Sequence, residues 1–164
     1  MEDPNQAPPR DGTPTHPTWP SGGDPSQSAA AERRTAGVVL VAENEENNRL
    51  LMEQILSLAG YYYLSASNGL EVLRILEREP VDVVLLDLSM PVLDGLRTTE
   101  LIRRRPELAT LPVVAVTGHA ASEDRDEALE AGFTAYLAKP FRPQELVSMV
   151  ERMLRLRGDG RDKE

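Results

Sequence analysis

The segment VDVVLLD, residues 81–87, carries the clearest structural signal in the chain. Five of its first six residues are apolar, which is typical of a strand that is buried on both faces of a parallel sheet. The run stops at a carboxylate, Asp87. A second apolar run, VVLVA at residues 38–42, has the same character and is followed by Glu43 and Asn44. We therefore predict two central strands that each end in polar side chains.

Outside these runs, we predict three more strands, at residues 61–64, 112–116 and 133–137. Helices are expected between the strands and after the last one, at about 46–59, 70–78, from the Asp94-Gly95 turn to Arg105, 122–131, and from Pro143 onward. Five alternating strands and helices indicate an α/β fold with a doubly wound, parallel five-stranded sheet.

The apolar spacing also predicts which helix faces meet the core. In the first helix we expect Leu51, Ile55 and Leu58 to point inward. In the last helix the inward residues are expected to be Leu146, Val150, Met153 and Leu154.

The flanks differ in composition from this central region. Seven of the thirteen prolines lie within residues 1–35, among Gly, Ser, Thr and Asp, so we predict a disordered tail there. Its Trp19 is the only tryptophan; we interpret it as an incidental tail residue, with a docking motif as the alternative. Residues 36–156 are predicted to form the folded domain, and residues 157–164 a charged tail.

Composition excludes several classes of function. The 27 acidic residues outnumber the 18 Lys and Arg residues, which argues against binding to nucleic acid or to an anionic membrane surface. The absence of cysteine excludes disulfides and thiolate zinc sites and fits a reducing compartment. There is no apolar run of membrane-spanning length and no signal-peptide pattern, so we expect a cytoplasmic protein.

Polar side chains follow four of the predicted strands. They are Glu43 and Asn44, Asp87, Thr117 and Lys139. Taken singly, each has an ordinary structural reading, such as a surface lysine or a strand-end cap. Because the carboxyl ends of parallel strands meet at one edge of the sheet, the joint placement favours a functional site.

This set of side chains suits phosphoryl chemistry. Mg²⁺ is a hard cation that binds oxygen ligands such as carboxylates and amide carbonyls. Asp87 can act as a nucleophile toward a phosphoryl group and form an aspartyl phosphate. Lys139 would add a fixed positive charge, and the Thr117 hydroxyl could donate to a phosphate oxygen.

Four sequence blocks are similar to those of a known protein family. VLLDLSMP at residues 84–91 with the following Asp94-Gly95, VTGHA at 116–120, YLAKPF at 136–141 and VAENE at 41–45 are similar to the blocks of response-regulator receiver domains. The resemblance covers about residues 37–156. It implies a flavodoxin-like (βα)5 fold, and phosphorylation of Asp87 by a sensor histidine kinase or a histidine phosphotransfer protein in a two-component phosphorelay.

The resemblance also implies roles for individual residues. Asn44, Asp87 and the Ser89 backbone carbonyl would bind Mg²⁺ directly, and Glu43 would bind it through water. Thr117 and Tyr136 would form a switch pair, in which Thr117 moves toward the phosphate and the Tyr136 ring turns inward.

The output implied by the resemblance is binding to another protein and not enzymatic turnover. We expect a standalone receiver whose downstream partner binds the face made by the fourth helix, fifth strand and fifth helix. A phosphorylation-linked homodimer is also possible on this reading.

One departure from the family leaves a different function open. The position of Asn44 usually holds an acidic metal ligand, so the chain could instead be a pseudo-receiver that binds partners independently of phosphorylation. An aspartyl phosphatase has less support, because it would need a general acid where Ser89 stands. A flavin or nucleotide binder also has less support, because it would need a phosphate cradle where the acidic residues 43–46 stand. His119 is interpreted as an exposed loop residue without a metal role.

Overall fold

The computed structural model describes residues 37–118 and 122–161. The predictions for residues 1–35, for Trp19 and for His119 lie outside these residues. Within them, five strands alternate with five helices. The strands are β1 (Val38–Ala42), β2 (Tyr62–Ala66), β3 (Val83–Leu86), β4 (Val113–Thr117) and β5 (Ala135–Ala138). The helices are α1 (Glu46–Leu58), α2 (Gly69–Arg78), α3 (Gly95–Arg103), α4 (Ser122–Ala131) and α5 (Pro143–Arg161), with a single 3₁₀ turn at Pro106–Leu108.

All strand pairs are parallel, and the strand order is β2-β1-β3-β4-β5. The predicted doubly wound five-stranded sheet is therefore confirmed. The chain moves from β1 outward to β2 and then back to β3 on the other side of β1. This change of direction opens a crevice at the carboxyl ends of β1 and β3, which is where such sheets bind their ligands.

The central strands are buried on both faces, so the sheet separates two apolar layers. Val84 and Leu86 of β3 face one layer, which is completed by residues such as Ile102 of α3. Val83 and Leu85 face the other layer, which α1 and α5 cover. This alternation explains why residues 83–86 are apolar without interruption.

The predicted inward face of α1 is wrong in part. Leu51 and Leu58 are 50% and 82% exposed, and the buried apolar residues are Met52, Ile55 and Leu56. Residues 50–52 are all apolar, so the periodicity alone allows more than one face to be chosen. Packing against β1, β2 and α5 decides which face is buried.

The end of the chain also differs from the prediction. Helix α5 continues to Arg161, whereas the composition predicts a charged tail from residue 157. The Arg157 guanidinium lies 3.5 Å from Asp82, and Asp82 also accepts a hydrogen bond from the Val38 amide at 2.9 Å. Leu146, Val150 and Met153 are buried, as predicted. No helix in the described part of the chain is long and apolar enough to cross a bilayer.

The loop between β3 and α3 contains a strained residue, Val92, whose φ is 70°. A β-branched side chain is rarely found in this left-handed region. The Leu93 amide donates to the Pro91 carbonyl at 2.7 Å, which closes a tight turn around Val92, and the Val92 side chain is 74% exposed. The side chain therefore contributes little packing that would offset the strain.

We expect Val92→Asn to raise the free energy of unfolding by about 1 kcal/mol, because Asn tolerates positive φ. Urea denaturation of the two proteins measures this difference. Val92→Ile keeps the β-branch and should behave like the wild type. Equal stability of the Asn and Ile variants would show that Val92 is not strained.

Candidate functional site

Two carboxylates are brought side by side by the pairing of β1 with β3. Ala42 is paired with Leu86, so the next residues, Glu43 and Asp87, leave their strands together. The Asp87 amide donates to the Ala42 carbonyl at 3.0 Å and continues the ladder by one step. Both acidic residues are buried.

Lys139, in the loop that follows β5, contacts the same two carboxylates. Its backbone amide donates to the Thr117 carbonyl at 2.8 Å, which fixes the loop after β5 beside β4. Its Nζ lies 3.0 Å from Glu43 Oε2 and 3.4 Å from Asp87 Oδ2. The structure therefore brings Glu43, Asp87 and Lys139 into one cluster.

The other candidate residues around this cluster differ in how far they are buried. Thr117 is buried at the end of β4. Asn44 and Ser89 are exposed at the mouth of the site. The Ser89 amide donates to Asp87 Oδ1 at 3.0 Å, so the loop after β3 helps to orient the carboxylate.

Tyr136 lies on β5 and is paired with Ala115, two residues before Thr117. Its ring packs against the apolar layer on the α3 side. Its hydroxyl is buried and finds no hydrogen-bond partner among the described residues. The Arg125 guanidinium lies 5.6 Å from the ring centroid. Burial is the main cause that raises the pKa of the Tyr136 phenol.

The first turns of α1 supply two contacts that the sequence did not suggest. Asn48 Nδ2 donates to Glu43 Oε1 at 3.4 Å, and an Arg49 guanidinium nitrogen donates to the Glu43 carbonyl at 3.1 Å. Arg49 also lies 3.9 Å from Glu53, a buried carboxylate that accepts a hydrogen bond from the Ser65 hydroxyl. No pattern signals these roles, because the helix must first be placed over the loop.

The two acidic side chains of the cluster oppose each other's ionisation. The pKa of Glu43 is raised from its ordinary 4.5 to about 7: burial is the main cause, the hydrogen bond with Asp87 adds to it, and Lys139 opposes it. When both acids are ionised, one ammonium faces two buried carboxylates. A cation bound at the mouth would offset the remaining charge.

The donor set fits a hard divalent cation. Within residues 37–118 and 122–161, no three His, Cys, Asp or Glu side chains converge. The available donors are the carboxylates of Glu43 and Asp87, the Asn44 amide and backbone carbonyls, which are all oxygen ligands. Magnesium accepts few protein ligands and keeps several waters, so it suits this set better than zinc does.

The raised pKa of Glu43 predicts a specific pH dependence of stability. Between about pH 4.5 and pH 7 the folded state holds a proton on Glu43 that the unfolded state has lost, so stability falls as pH rises through this window, and the full destabilisation is present above it. In EDTA at about pH 8, we expect the unfolding free energy of Glu43→Gln to exceed that of the wild type by roughly 1–3 kcal/mol, and we expect this advantage to shrink as the pH falls toward 4.5. Glu130→Gln, at an exposed position, should show no such gain. Parallel pH profiles for the wild type and Glu43→Gln would contradict the assignment.

Comparison with known proteins gives a consistent result. The family model described as the response regulator receiver domain matches residues 39–151. The probable transcriptional regulator ycf27 of Guillardia theta is 38% identical over 104 residues, which are 63% of this chain and 40% of that protein. The chain spans about half or less of the length of most of the curated relatives that it matches.

Two solved structures share the fold closely. The receiver domain of the sensor histidine kinase PA1611 from Pseudomonas aeruginosa, crystallised with a magnesium ion in its active-site cleft, is 34% identical with a TM-score of 0.69, and the match covers 73% of this chain and 98% of that one. The chemotaxis response regulator CheY4 of Vibrio cholerae is 28% identical with a TM-score of 0.69, over 72% and 98%. None of these comparisons supports the pseudo-receiver function.

Proposed function

This chain belongs to the response regulator receiver domain family, and we propose that Asp87 accepts a phosphoryl group in two-component signalling. The donor would be the phosphohistidine of a sensor histidine kinase or of a histidine phosphotransfer protein. The observation that carries the proposal is the cluster in which Asp87 lies 3.4 Å from the Lys139 ammonium at the open edge of the sheet. We propose that this takes place in the cytoplasm.

The chemistry follows from the atoms at hand. A carboxylate oxygen of Asp87 attacks phosphorus, the P–N bond to the donor histidine breaks, and its electron pair stays on the imidazole, which takes up a proton. Lys139 stabilises the negative charge that develops on the transferring oxygens. The Ser89 amide holds Asp87 in a fixed orientation while this occurs.

Magnesium would be held by Asp87, Asn44 and the Ser89 backbone carbonyl directly, and by Glu43 through water. When bound, it would supply positive charge to the phosphoryl oxygens. Support comes from the two buried carboxylates that share a single ammonium. Asn44 contributes an uncharged oxygen where the family usually has an acid, so we expect weaker metal affinity and not a lost site.

We further propose that Thr117 and Tyr136 transmit the change. Thr117 is buried at the end of the strand next to Tyr136, and the buried Tyr136 hydroxyl lacks a partner among the described residues. Movement of Thr117 would alter the space beside the Tyr136 ring. A change in the position of the ring would then change the surface formed by α4, β5 and α5. A downstream protein, or a second copy in a homodimer, would bind there. In this role the chain signals and does not turn over a substrate.

Intact-protein mass spectrometry after incubation with acetyl phosphate and Mg²⁺ tests the proposal. We expect one phosphoryl adduct that disappears with EDTA and in Asp87→Asn. Asp126→Asn, which removes an exposed carboxylate from α4, should keep the adduct. An adduct that persists in Asp87→Asn, or its absence from the wild type, would refute the proposal.

A further inference from the structure

A groove between α1 and α5 is an apolar surface feature that the proposed function does not use. Its volume is about 510 Å³, and nine residues line it, none of them charged, in a chain where 27% of residues are charged. Leu51 and Leu58 line it and are 50% and 82% exposed. Two exposed leucines in one uncharged groove are available for contact with another apolar group.

The chain enters the fold on the same side of the sheet. Gly37 precedes β1, and a side chain placed on it would lie 3.1 Å from Leu154 of α5. Gly37, the first residue that the structure describes, therefore lies against the layer that α1 and α5 form. Residues 20–36 separate Trp19 from Gly37 and could span up to ~55 Å when extended. The 19 residues of α5 measure only ~28 Å, so Trp19 can reach any part of the groove.

The chemistry of one segment before Gly37 matches the groove. THPTWP and the two residues before it, residues 13–20, contain no Lys, Arg, Asp or Glu. Apart from Met1, Trp19 is the only large apolar residue in residues 1–36. Pro14, Pro17 and Pro20 recur every third residue, which is the repeat of a polyproline II helix, a conformation that docks into apolar grooves at low entropic cost.

We propose that residues 13–20 of this chain bind in the α1–α5 groove, with the Trp19 indole against Leu51 and Leu58. Tethering gives such a segment an effective concentration in the millimolar range, so even a weak contact would be occupied. A free peptide of the same affinity would bind negligibly at micromolar concentration. The proposal concerns a contact within one chain and does not depend on the proposed function.

The bound segment would also lie close to the candidate site. Leu51 lines a second cavity of about 330 Å³ together with Asn48 and Lys139, so the groove opens toward the loop that carries Lys139. If the proposed function holds, the segment would hinder a protein phosphodonor that approaches across α1. It would leave acetyl phosphate unaffected, because a small donor does not cover the helix.

Fluorescence of the full chain tests the contact directly, because Trp19 is the only tryptophan. We expect acrylamide to quench the wild type roughly half as efficiently as the Leu51→Gln/Leu58→Gln variant, for about half occupancy of the groove. The emission of the wild type should also lie at shorter wavelength. Leu129→Gln is the matched control, since Leu129 is 48% exposed on α4, and it should match the wild type.

Equal quenching of the wild type and the double variant would overturn the proposal. A difference that vanishes on dilution would also overturn it, because a second copy would then supply the occupant. Methyl NMR gives an independent readout: Trp19→Ala should shift the Leu51 and Leu58 resonances and leave Leu129 unchanged. Unshifted Leu51 and Leu58 resonances would again contradict the contact.

Discussion

Replacing Lys139 with Ala is expected to slow the phosphorylation of Asp87 by acetyl phosphate roughly 100- to 1000-fold. The Lys139 ammonium lies 3.4 Å from Asp87 Oδ2, so it is placed to stabilise charge on a phosphoryl group that arrives at this carboxylate. No other cation of the described residues forms an ion pair with Asp87. The rate of adduct formation, followed by intact-protein mass spectrometry, measures the effect.

The matched control is Arg142→Ala, which removes an exposed cation three residues along the chain. It should leave the rate almost unchanged, because its charge is screened by solvent. Mg²⁺ titration of both variants separates a charge effect on transfer from loss of the metal. A rate for Lys139→Ala within a few-fold of the wild type would show that Lys139 does not assist the transfer.

Gly95→Ala is expected to lower the free energy of unfolding by about 2–4 kcal/mol. A Cβ at Gly95 would lie 2.8 Å from the Leu88 Cα and would clash with the Asp87 carbonyl oxygen. These neighbours are backbone atoms, and the Gly95 amide also donates to the Leu88 carbonyl at 3.1 Å, so the segment cannot move aside without cost. The residue whose backbone would be displaced is Asp87, the proposed phosphate acceptor, so phosphorylation should also slow.

Urea denaturation with Gly118→Ala as the control isolates this clash. Gly118 follows β4, and a Cβ there would meet no atom within 4 Å. The control should therefore stay close to wild-type stability, within about 0.5 kcal/mol. Equal stabilities of the two alanine variants would mean that α3 does not approach β3 as closely as the structure shows.

The sheet could be predicted from the sequence because β1, β3 and β4 are continuous apolar runs that end in polar side chains. Parallel topology predicts that Glu43, Asp87 and Lys139 lie at one edge of the sheet, but their contact also depends on the strand order and on the length of the Lys139 side chain. Their proposed roles remain predictions that the experiments above address.

Features that depend on contacts between distant elements could not be predicted. The burial of Glu53 in α1 depends on Ser65 of β2, and no periodicity encodes that pairing. The sequence does not predict the extension of α5 to Arg161, because glycines such as Gly158 and Gly160 usually interrupt helices. Arg157 pairs with Asp82, a contact between the last helix and the start of β3 that only the folded chain creates.

Chemical identification of the modified residue tests whether Asp87 accepts the phosphoryl group. After incubation with acetyl phosphate and Mg²⁺, borohydride converts an aspartyl phosphate to homoserine, which peptide mass spectrometry can locate. We predict homoserine at position 87 and at no other aspartate. Homoserine at another position, or its absence from a sample that carries the phosphoryl adduct, would contradict the assignment of Asp87 as the acceptor.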